Sequence, residues 1–183
     1  MSTFTDRNNS ALLVIDVQVG VMAEAFERDS KIANMAKAID KARAEGVPVI
    51  WVQHSDEELV LQSAEWEIVS ELSPLPSETK VRKTFRSSFV DTNLEDVLSY
   101  LGVSHIFVCG AETNNCVRHT CHTALEMGYD LTLISDAHTT TGFEWNGYIV
   151  DAARVIDEQN TNFMGYSLPG RTAQAVSVTE LSF

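Results

Sequence analysis

The sequence predicts an α/β fold, because segments with a helical spacing of apolar residues alternate with short apolar runs. Three helical segments stop at a glycine, which adopts a left-handed backbone at little steric cost: residues 30–45 at Gly46, 92–101 at Gly102 and 114–127 at Gly128. The run after each glycine is nearly continuously apolar, which is typical of strands buried on both faces of a parallel sheet. These observations predict one domain, residues 1–183, with a three-layer, doubly wound (Rossmann-like), mainly parallel sheet flanked by helices.

The individual elements follow from this pattern in chain order. The predicted strands are residues 11–15, 47–52, 104–109 and 129–134. Residues 56–79 contain two prolines and many acidic residues, which predicts a long irregular loop with room for one short helix. Thr92 and Glu95 form a capping-box pattern at the start of the helix at 92–101. A last helix is predicted over residues 147–160, with an inward face made of Ile149, Ala152, Ala153 and Ile156.

Composition and charge indicate a soluble intracellular protein. Asp and Glu number 26 against 13 Lys and Arg, and the resulting charge of −13 repels nucleic acid and anionic membranes. The longest apolar run, residues 11–15, is far shorter than the roughly 20 residues of a membrane span, and the first residues lack a signal-peptide pattern. The three cysteines, Cys109, Cys116 and Cys121, make a poor disulfide framework, so we expect a reducing, cytoplasmic location.

Polar side chains follow the predicted strands, at the sheet edge where open parallel sheets bind ligands. Asp16 follows the first strand, Gln53 and His54 follow the second, and the loop after the third strand leads to Cys116. Free N–H groups and the dipole at a helix start lower the pKa of a thiol and can hold an oxyanion. Position alone leaves open whether Cys116 is a nucleophile or a core cysteine, whereas the other two cysteines are predicted to be core residues.

Three short motifs occur in order at residues 12–18, 83–94 and 110–117. They are Leu-Leu-Val-Ile-Asp-Val-Gln, then a lysine followed by Ser-Phe and Thr-Asn-Leu, then Gly-Ala-Glu-Thr-Asn-Asn-Cys-Val. In these motifs the chain resembles the isochorismatase-like cysteine hydrolases, the superfamily that includes nicotinamidases and N-carbamoylsarcosine amidases. The resemblance extends from about residue 10 to residue 160, nearly the whole chain.

The resemblance implies a catalytic triad of Asp16, Lys83 and Cys116. Taken singly, Asp16 is equally well explained as a loop cap, and Lys83 is better explained as a solvated charge. In the implied mechanism Lys83 favours the thiolate, Asp16 carries the thiol proton to the leaving nitrogen, and Cys116 forms a thioester. The resemblance also implies a cis peptide between Ala111 and Glu112, and an oxyanion hole formed by the N–H groups of Glu112 and Cys116. Glu112 departs from the small or hydroxyl residue that the family favours.

The residues that hold a metal in nicotinamidases do not match here. Those relatives carry an Asp-x-His pair and a later histidine, whereas residues 51–58 contain a single histidine, His54, placed before Asp56. We therefore expect neither a metal nor a cofactor, and we interpret His119 and His122 as residues of a polar helix face. The candidate substrate-binding residues, each of which packing would also explain, are Gln18, Gln53, Trp66, Phe85, Phe89 and Thr113.

The sequence favours a metal-independent cysteine amidohydrolase that cleaves an amide, ureido or lactam C–N bond of a small molecule. A vinyl-ether hydrolase of the isochorismatase type is an alternative, although those members lack the cysteine. A catalytically idle binding or assembly module is another alternative, which the intact triad disfavours. The resemblance implies a homo-oligomer, a dimer or tetramer, and we expect no nucleic-acid or membrane partner.

Overall fold

Helices and strands alternate along the computed structural model, which describes residues 2–183. The elements are β1 (Asn9–Ile15), α1 (Val19–Met22), α2 (Arg28–Ala44), β2 (Val49–His54), β3 (Thr79–Lys83), α3 (Leu94–Tyr100), β4 (Val103–Ala111), a π-helical turn (Thr113–Val117), α4 (Arg118–Met127), β5 (Asp130–Thr139), β6 (Phe143–Trp145), β7 (Tyr148–Val150), α5 (Ala152–Phe163), β8 (Ser167–Leu168) and β9 (Arg171–Val176). No helix among residues 2–183 is long and apolar enough to cross a bilayer.

Seven strands form one sheet in the order β3-β2-β1-β4-β5-β9-β8. The paired strands are parallel throughout, apart from the antiparallel pair of β8 and β9 at one edge. This architecture confirms the predicted α/β class and the mainly parallel sheet. Strand β1 pairs with β2 on one side and β4 on the other, so the strand order reverses there. Such a reversal opens a crevice at the carboxyl ends of the strands, where ligands bind in open α/β sheets.

The two faces of the sheet bury separate apolar clusters. Along β1, Leu13 and Ile15 join a cluster covered by α3, α4 and α5, whereas Leu12 and Val14 join a cluster covered by α1 and α2. This alternation is the two-residue period of a strand, with apolar residues on both faces because helices cover both. The continuous apolar run of residues 11–15 is therefore explained by burial on both faces of the sheet, as predicted.

Gly110 brings the end of β4 unusually close to β1. Its φ of 123° lies in the left-handed half of the backbone map, and a Cβ there would be 2.0 Å from the carbonyl oxygen of Ile15. Glycine is needed for both reasons, the backbone conformation and the close approach. The contact fixes the loop after β4 against the residue that precedes Asp16.

The capping box predicted at Thr92 and Glu95 does not form. Thr92 Oγ1 accepts from the N–H of Leu94 at 3.2 Å and donates to the carbonyl of Ser88, and Asn93 is the residue that precedes the helix. The carboxylate of Glu95 accepts hydrogen bonds from the Arg7 guanidinium and the Tyr129 hydroxyl. These long-range partners replace the local bond that the sequence pattern predicted.

The last helix begins at Ala152, not at residue 147 as predicted. Residues 143–150 form the hairpin of β6 and β7, in which Asn146 and Gly147 both have a positive φ. That backbone is the usual two-residue hairpin turn. Ile149, predicted to face inward, is 84% exposed, whereas Ala152 and Ile156 are buried as predicted. The edge strand β3 and the C-terminal strands β8 and β9 were not predicted, and residues 56–78 contain no helix.

Candidate active site

Asp16, Lys83 and Cys116 lie in contact at the carboxyl ends of the strands. Lys83 Nζ is 2.6 Å from Asp16 Oδ2 and donates a hydrogen bond to Cys116 Sγ at 3.1 Å. Asp16 and Lys83 are almost fully buried, and Cys116 is partly exposed. The structure thus assembles the three residues that the resemblance implied, and the cysteine is the one that a substrate can reach.

Different elements place the three side chains. Asp16 follows β1 with a φ of 50°, a left-handed backbone that aspartate tolerates better than most residues, and its N–H donates to Val52 at 2.9 Å. Lys83 is the last residue of β3 and pairs with His54 of β2 in the sheet register. Cys116 lies in the π-helical turn that leads into α4. Single π-turns inside helices occur frequently at functional sites.

Burial dominates the protonation of this cluster. It raises the pKa of the Asp16 carboxyl above its usual value, although the ammonium of Lys83 opposes the rise. Burial also raises the pKa of the Cys116 thiol to about 12, and the Asp16 carboxylate adds to the rise while Lys83 opposes it. This direction is opposite to the lowered thiol pKa that we expected, because burial and the Asp16 charge outweigh the effect of Lys83. The thiol is protonated at neutral pH and needs a base.

The loop that carries the nucleophile is internally braced. The peptide between Ala111 and Glu112 is cis, as the resemblance implied. The Glu112 carbonyl accepts from the N–H groups of Asn115 and Val117 at 3.1 and 3.2 Å. The Glu112 carboxylate accepts from Asn115 Nδ2 at 2.7 Å and from the Thr141 hydroxyl at 3.3 Å. The unusual Glu112 side chain therefore ties the loop together.

An acidic cavity of about 490 Å³ is lined by His54 and Glu112, although Asp16, Lys83 and Cys116 themselves do not line it. His54 is close enough to Asp16 to act on the pKa of that carboxyl, and Glu112 belongs to the nucleophile loop. His54 Nε2 lies 3.1 Å from Asp56, and its Nδ1 has no partner among residues 2–183. The cavity is lined by five carboxylates, those of Glu24, Asp56, Glu58, Glu65 and Glu112.

Comparison with known proteins identifies the family of this chain. The model of the isochorismatase domain matches residues 10–161. The chain belongs to the isochorismatase family. The family is one of hydrolases, and relatives of this chain include amidohydrolases.

Three relatives and one solved structure illustrate the similarity. A streptothricin hydrolase of Streptomyces noursei is 35% identical over 71% of this chain and 54% of its own length, so the chain spans about half of that relative. A ureidoacrylate amidohydrolase of Agrobacterium fabrum is 28% identical, covering 71% and 75%. A probable inactive nicotinamidase of Arabidopsis thaliana is 29% identical, covering 83% and 89%. The crystal structure of an isochorismatase from Pseudomonas putida matches with a TM-score of 0.84 at 26% identity, covering 95% and 90%.

Two predicted substrate-binding residues of this isochorismatase-family chain, Gln18 and Gln53, make hydrogen bonds within the fold. The Gln18 amide donates to the carbonyls of His54 and Trp66 at 2.9 Å each and accepts from the His54 N–H. The Gln53 amide donates to the same Trp66 carbonyl at 3.1 Å. Both side chains are buried and tie the long loop to the sheet. Trp66, also buried, packs beneath the Arg82 guanidinium and lines a second cavity of about 460 Å³.

The other three predicted substrate-binding residues lie in different environments. Phe85 is 52% exposed. Phe89 packs on the Tyr129 ring, with ring centres 6.1 Å apart, at the edge of the core. Thr113 is fully buried, and its hydroxyl lies 2.8 Å from His138 Nδ1. The sequence patterns did not single out His138 or three acids of the cavity, Glu24, Glu58 and Glu65, although residues 56–79 are rich in acids.

Two further histidines, both on α4, contact other protein groups. His119 Nδ1 lies 2.7 Å from the carbonyl of Asn115, and the His122 ring packs on Phe163. No group of three His, Cys, Asp or Glu side chains suited to a metal occurs within residues 2–183. The expected absence of a metal stays a prediction for metal analysis.

Proposed function

We propose that the protein is a metal-independent cysteine amidohydrolase that cleaves an amide, ureido or lactam C–N bond in a small molecule. The observation that carries the proposal is the contact of Lys83 Nζ with both Asp16 and Cys116. A nucleophile, a base and a cation within hydrogen-bond reach are what acyl transfer from a poor leaving group needs. The amidohydrolase relatives support the same chemistry.

Asp16 is the general base and then the general acid. Its carboxylate takes the thiol proton as Cys116 Sγ bonds to the substrate carbonyl carbon, and the tetrahedral oxyanion forms. Asp16 then returns that proton to the nitrogen as the C–N bond breaks, which leaves a thioester and an amine or ammonia. Burial raises the pKa of Asp16 and so moves it towards the working pH, which favours a group that must both take and return a proton.

Hydrolysis of the thioester repeats the cycle with water. Asp16 takes a proton from water as the oxygen bonds to the acyl carbon, and the C–S bond breaks to release the acid. The departing sulfur regains the proton from Asp16. Lys83, 3.1 Å from the sulfur, stabilises the thiolate character that develops in both halves of the reaction. The N–H groups of Glu112 and Cys116 are proposed to hold the oxyanion.

The two alternatives predict different behaviour of Cys116. A vinyl-ether hydrolase forms no thioester on Cys116. An idle binding module has no turnover at all, as would be the case if the chain behaved like the probable inactive nicotinamidase of Arabidopsis thaliana. The partly exposed cysteine, in contact with a buried lysine–carboxylate pair, favours the amidase over both. A binding module has no use for two charges that are costly to bury.

The test is a screen of small amides, ureides and lactams, with ammonia or amine release as the assay. We expect Cys116→Ala to abolish turnover while circular dichroism stays that of the wild type. Cys109→Ala, a fully buried cysteine on β4, is the matched control and keeps the activity. Mass spectrometry of the acid-quenched enzyme should show the acyl group on the Cys116 peptide. Wild-type turnover in Cys116→Ala would overturn the proposal.

We further propose that the protein works as a cytoplasmic homo-oligomer on a small-molecule substrate, without nucleic acid or membrane. The hairpin of β6 and β7 supports a second copy as partner, because its apolar side chains are unusually exposed: Phe143, Trp145, Tyr148 and Ile149. Light scattering after gel filtration gives the mass. A monomer at all concentrations contradicts the oligomer.

A further inference from the structure

A buried hydrogen-bond chain runs from the backbone of β5 to the first residue of the nucleophile turn. The His138 ring, at the end of β5, is fully buried. Its Nε2 lies 2.9 Å from Asn160 Oδ1 of α5, and its Nδ1 lies 2.8 Å from Thr113 Oγ1. Thr113 opens the π-helical turn that carries Cys116. The ring therefore connects β5, α5 and the π-helical turn that carries Cys116.

One backbone carbonyl sets the direction of every bond in this chain. Asn160 Nδ2 donates to the carbonyl of Ser135 at 3.0 Å, and a carbonyl can only accept. The other end of the amide, Oδ1, therefore faces His138 and requires a hydrogen on Nε2. A neutral ring with that hydrogen has a bare Nδ1, so the Thr113 hydroxyl must donate to it. The chain has a single consistent arrangement, which orients the Thr113 side chain.

The ring stays neutral in this environment. Burial lowers the pKa of His138 to about 4, against the bond to Asn160, and the ammonium of Lys31 on α2 acts in the same direction as burial. Two groups that follow His138 also hold the loop: the Thr140 hydroxyl donates to Asn114 Oδ1 at 2.7 Å and the Thr141 hydroxyl to Glu112. The segment after β5 is thus a continuous support for the turn.

We propose that His138 is a positioning residue that, through Thr113, holds the turn bearing Cys116 at the distance from Lys83 and Asp16 that catalysis needs. This inference rests on the proposed amidase function. His138 touches neither the sulfur nor Lys83 in any contact that the structure shows, so its effect passes through the turn. A displacement of about 1 Å in such a turn costs on the order of 10²-fold in rate.

Thr113→Val tests the chain, because it removes the hydroxyl and keeps the shape of the side chain. A second threonine–histidine bond supplies the matched control: buried Thr132 on β5 lies 2.8 Å from His105 Nε2, near the amino ends of the strands. Both valine variants leave a histidine nitrogen without its partner, so both lose stability. We expect kcat to fall on the order of 10²-fold in Thr113→Val with KM nearly unchanged, and to stay at the wild-type value in Thr132→Val. Thr113→Ser, which keeps the hydroxyl, should restore most of the rate.

Alkylation of Cys116 by iodoacetamide at one pH, followed by mass spectrometry, measures the turn without any substrate. Its rate should differ from the wild type in Thr113→Val and match it in Thr132→Val. If Thr113→Val does not fold, Asn160→Leu at a half-buried position replaces it, since it removes the acceptor that fixes the hydrogen on His138 Nε2 and should lower kcat in the same way.

The outcomes separate the two proposals. A wild-type enzyme without amidase activity, but with altered Cys116 alkylation in Thr113→Val, refutes the amidase and supports the positioning role. An active wild type whose kcat and alkylation are unchanged by Thr113→Val refutes the positioning role and leaves the amidase standing.

Discussion

Replacing Asp16 with asparagine should make Cys116 more reactive towards alkylation and the enzyme less active towards amides. Asparagine preserves the size of the side chain and tolerates the left-handed φ of 50° at this position. The substitution removes one negative charge beside the sulfur while Lys83 stays. It also removes the only group of the cluster that can carry the thiol proton to a leaving nitrogen.

The size of the effect follows from two distances. Lys83 Nζ lies 2.6 Å from Asp16 Oδ2 and 3.1 Å from Cys116 Sγ, so the oxygen and the sulfur are at most about 6 Å apart. At that distance two unit charges repel by roughly 3 kcal/mol at an effective dielectric of about 20, which is about 2 pKa units. The thiol pKa should therefore fall from about 12 to about 10 or below. A thiol pKa lower by about 2 units raises the thiolate fraction at neutral pH about 100-fold, whereas the lower nucleophilicity of that thiolate costs about tenfold, so alkylation should rise about tenfold overall.

The assay is the rate of iodoacetamide labelling of Cys116 beside the rate of amide hydrolysis. Loss of the general base should lower kcat by about 10²- to 10⁴-fold. Asp91→Asn is the control, since Asp91 also has a left-handed backbone, with a φ of 55°, but is exposed. Both rates should match the wild type in that variant. Slower labelling in Asp16→Asn, or hydrolysis that persists, would refute the assigned roles of Asp16.

Gly110→Ala should lower the free energy of unfolding, measured in urea, by about 3 kcal/mol, because the new Cβ would lie 2.0 Å from the Ile15 carbonyl oxygen. Gly165→Ala is the control: Gly165 has a φ of 80° but open space around it, so the substitution should lower the free energy of unfolding by only about 1 kcal/mol. As the pH falls, kcat/KM should drop at a pH above 3.8, because burial raises the pKa of Asp16 above that value and protonation of Asp16 removes the base. A drop at or below pH 3.8 contradicts this. An amide bearing an ammonium group should have a higher kcat/KM than the same amide bearing a carboxylate, since five carboxylates line the cavity. The double variant Glu58→Gln, Glu65→Gln should reduce the ratio of the two kcat/KM values.

The parts of the fold that the sequence predicted are those with a local cause. The strand runs have apolar residues on both faces, and glycine stops such as Gly46 and Gly128 have a positive φ. The hairpin at residues 143–150 had a local signal too, since Asn146-Gly147 is the strongest short hairpin turn. It was missed because Ile149 fits a helical spacing with Ala152 and Ile156. Spacing alone does not distinguish a helix from a strand that leads into one.

The position of a site residue could be predicted from the sequence when the residue directly follows a strand. It could not be predicted when it depends on the pairing of strands that are distant in the sequence. Asp16 and Cys116 follow apolar runs, so the rule for parallel sheets found them. Lys83 lies on an edge strand beside the exposed Arg82, and its contact with Asp16 depends on the register that pairs it with His54. The resemblance supplied it, since no local pattern does.

The sequence predicted a lowered pKa for the Cys116 thiol, whereas the structure raises it. The difference affects the mechanism. A helix start and a lysine both favour a thiolate, and each can be inferred from the sequence. Burial and the neighbouring Asp16 carboxylate oppose them, and their strength depends on the assembled site. A thiol that stays protonated cannot attack unaided, so the base must act in the same step as the nucleophile. In the proposed mechanism Asp16 is therefore needed for acylation as well as for release of the nitrogen, so we expect its removal to separate labelling from hydrolysis.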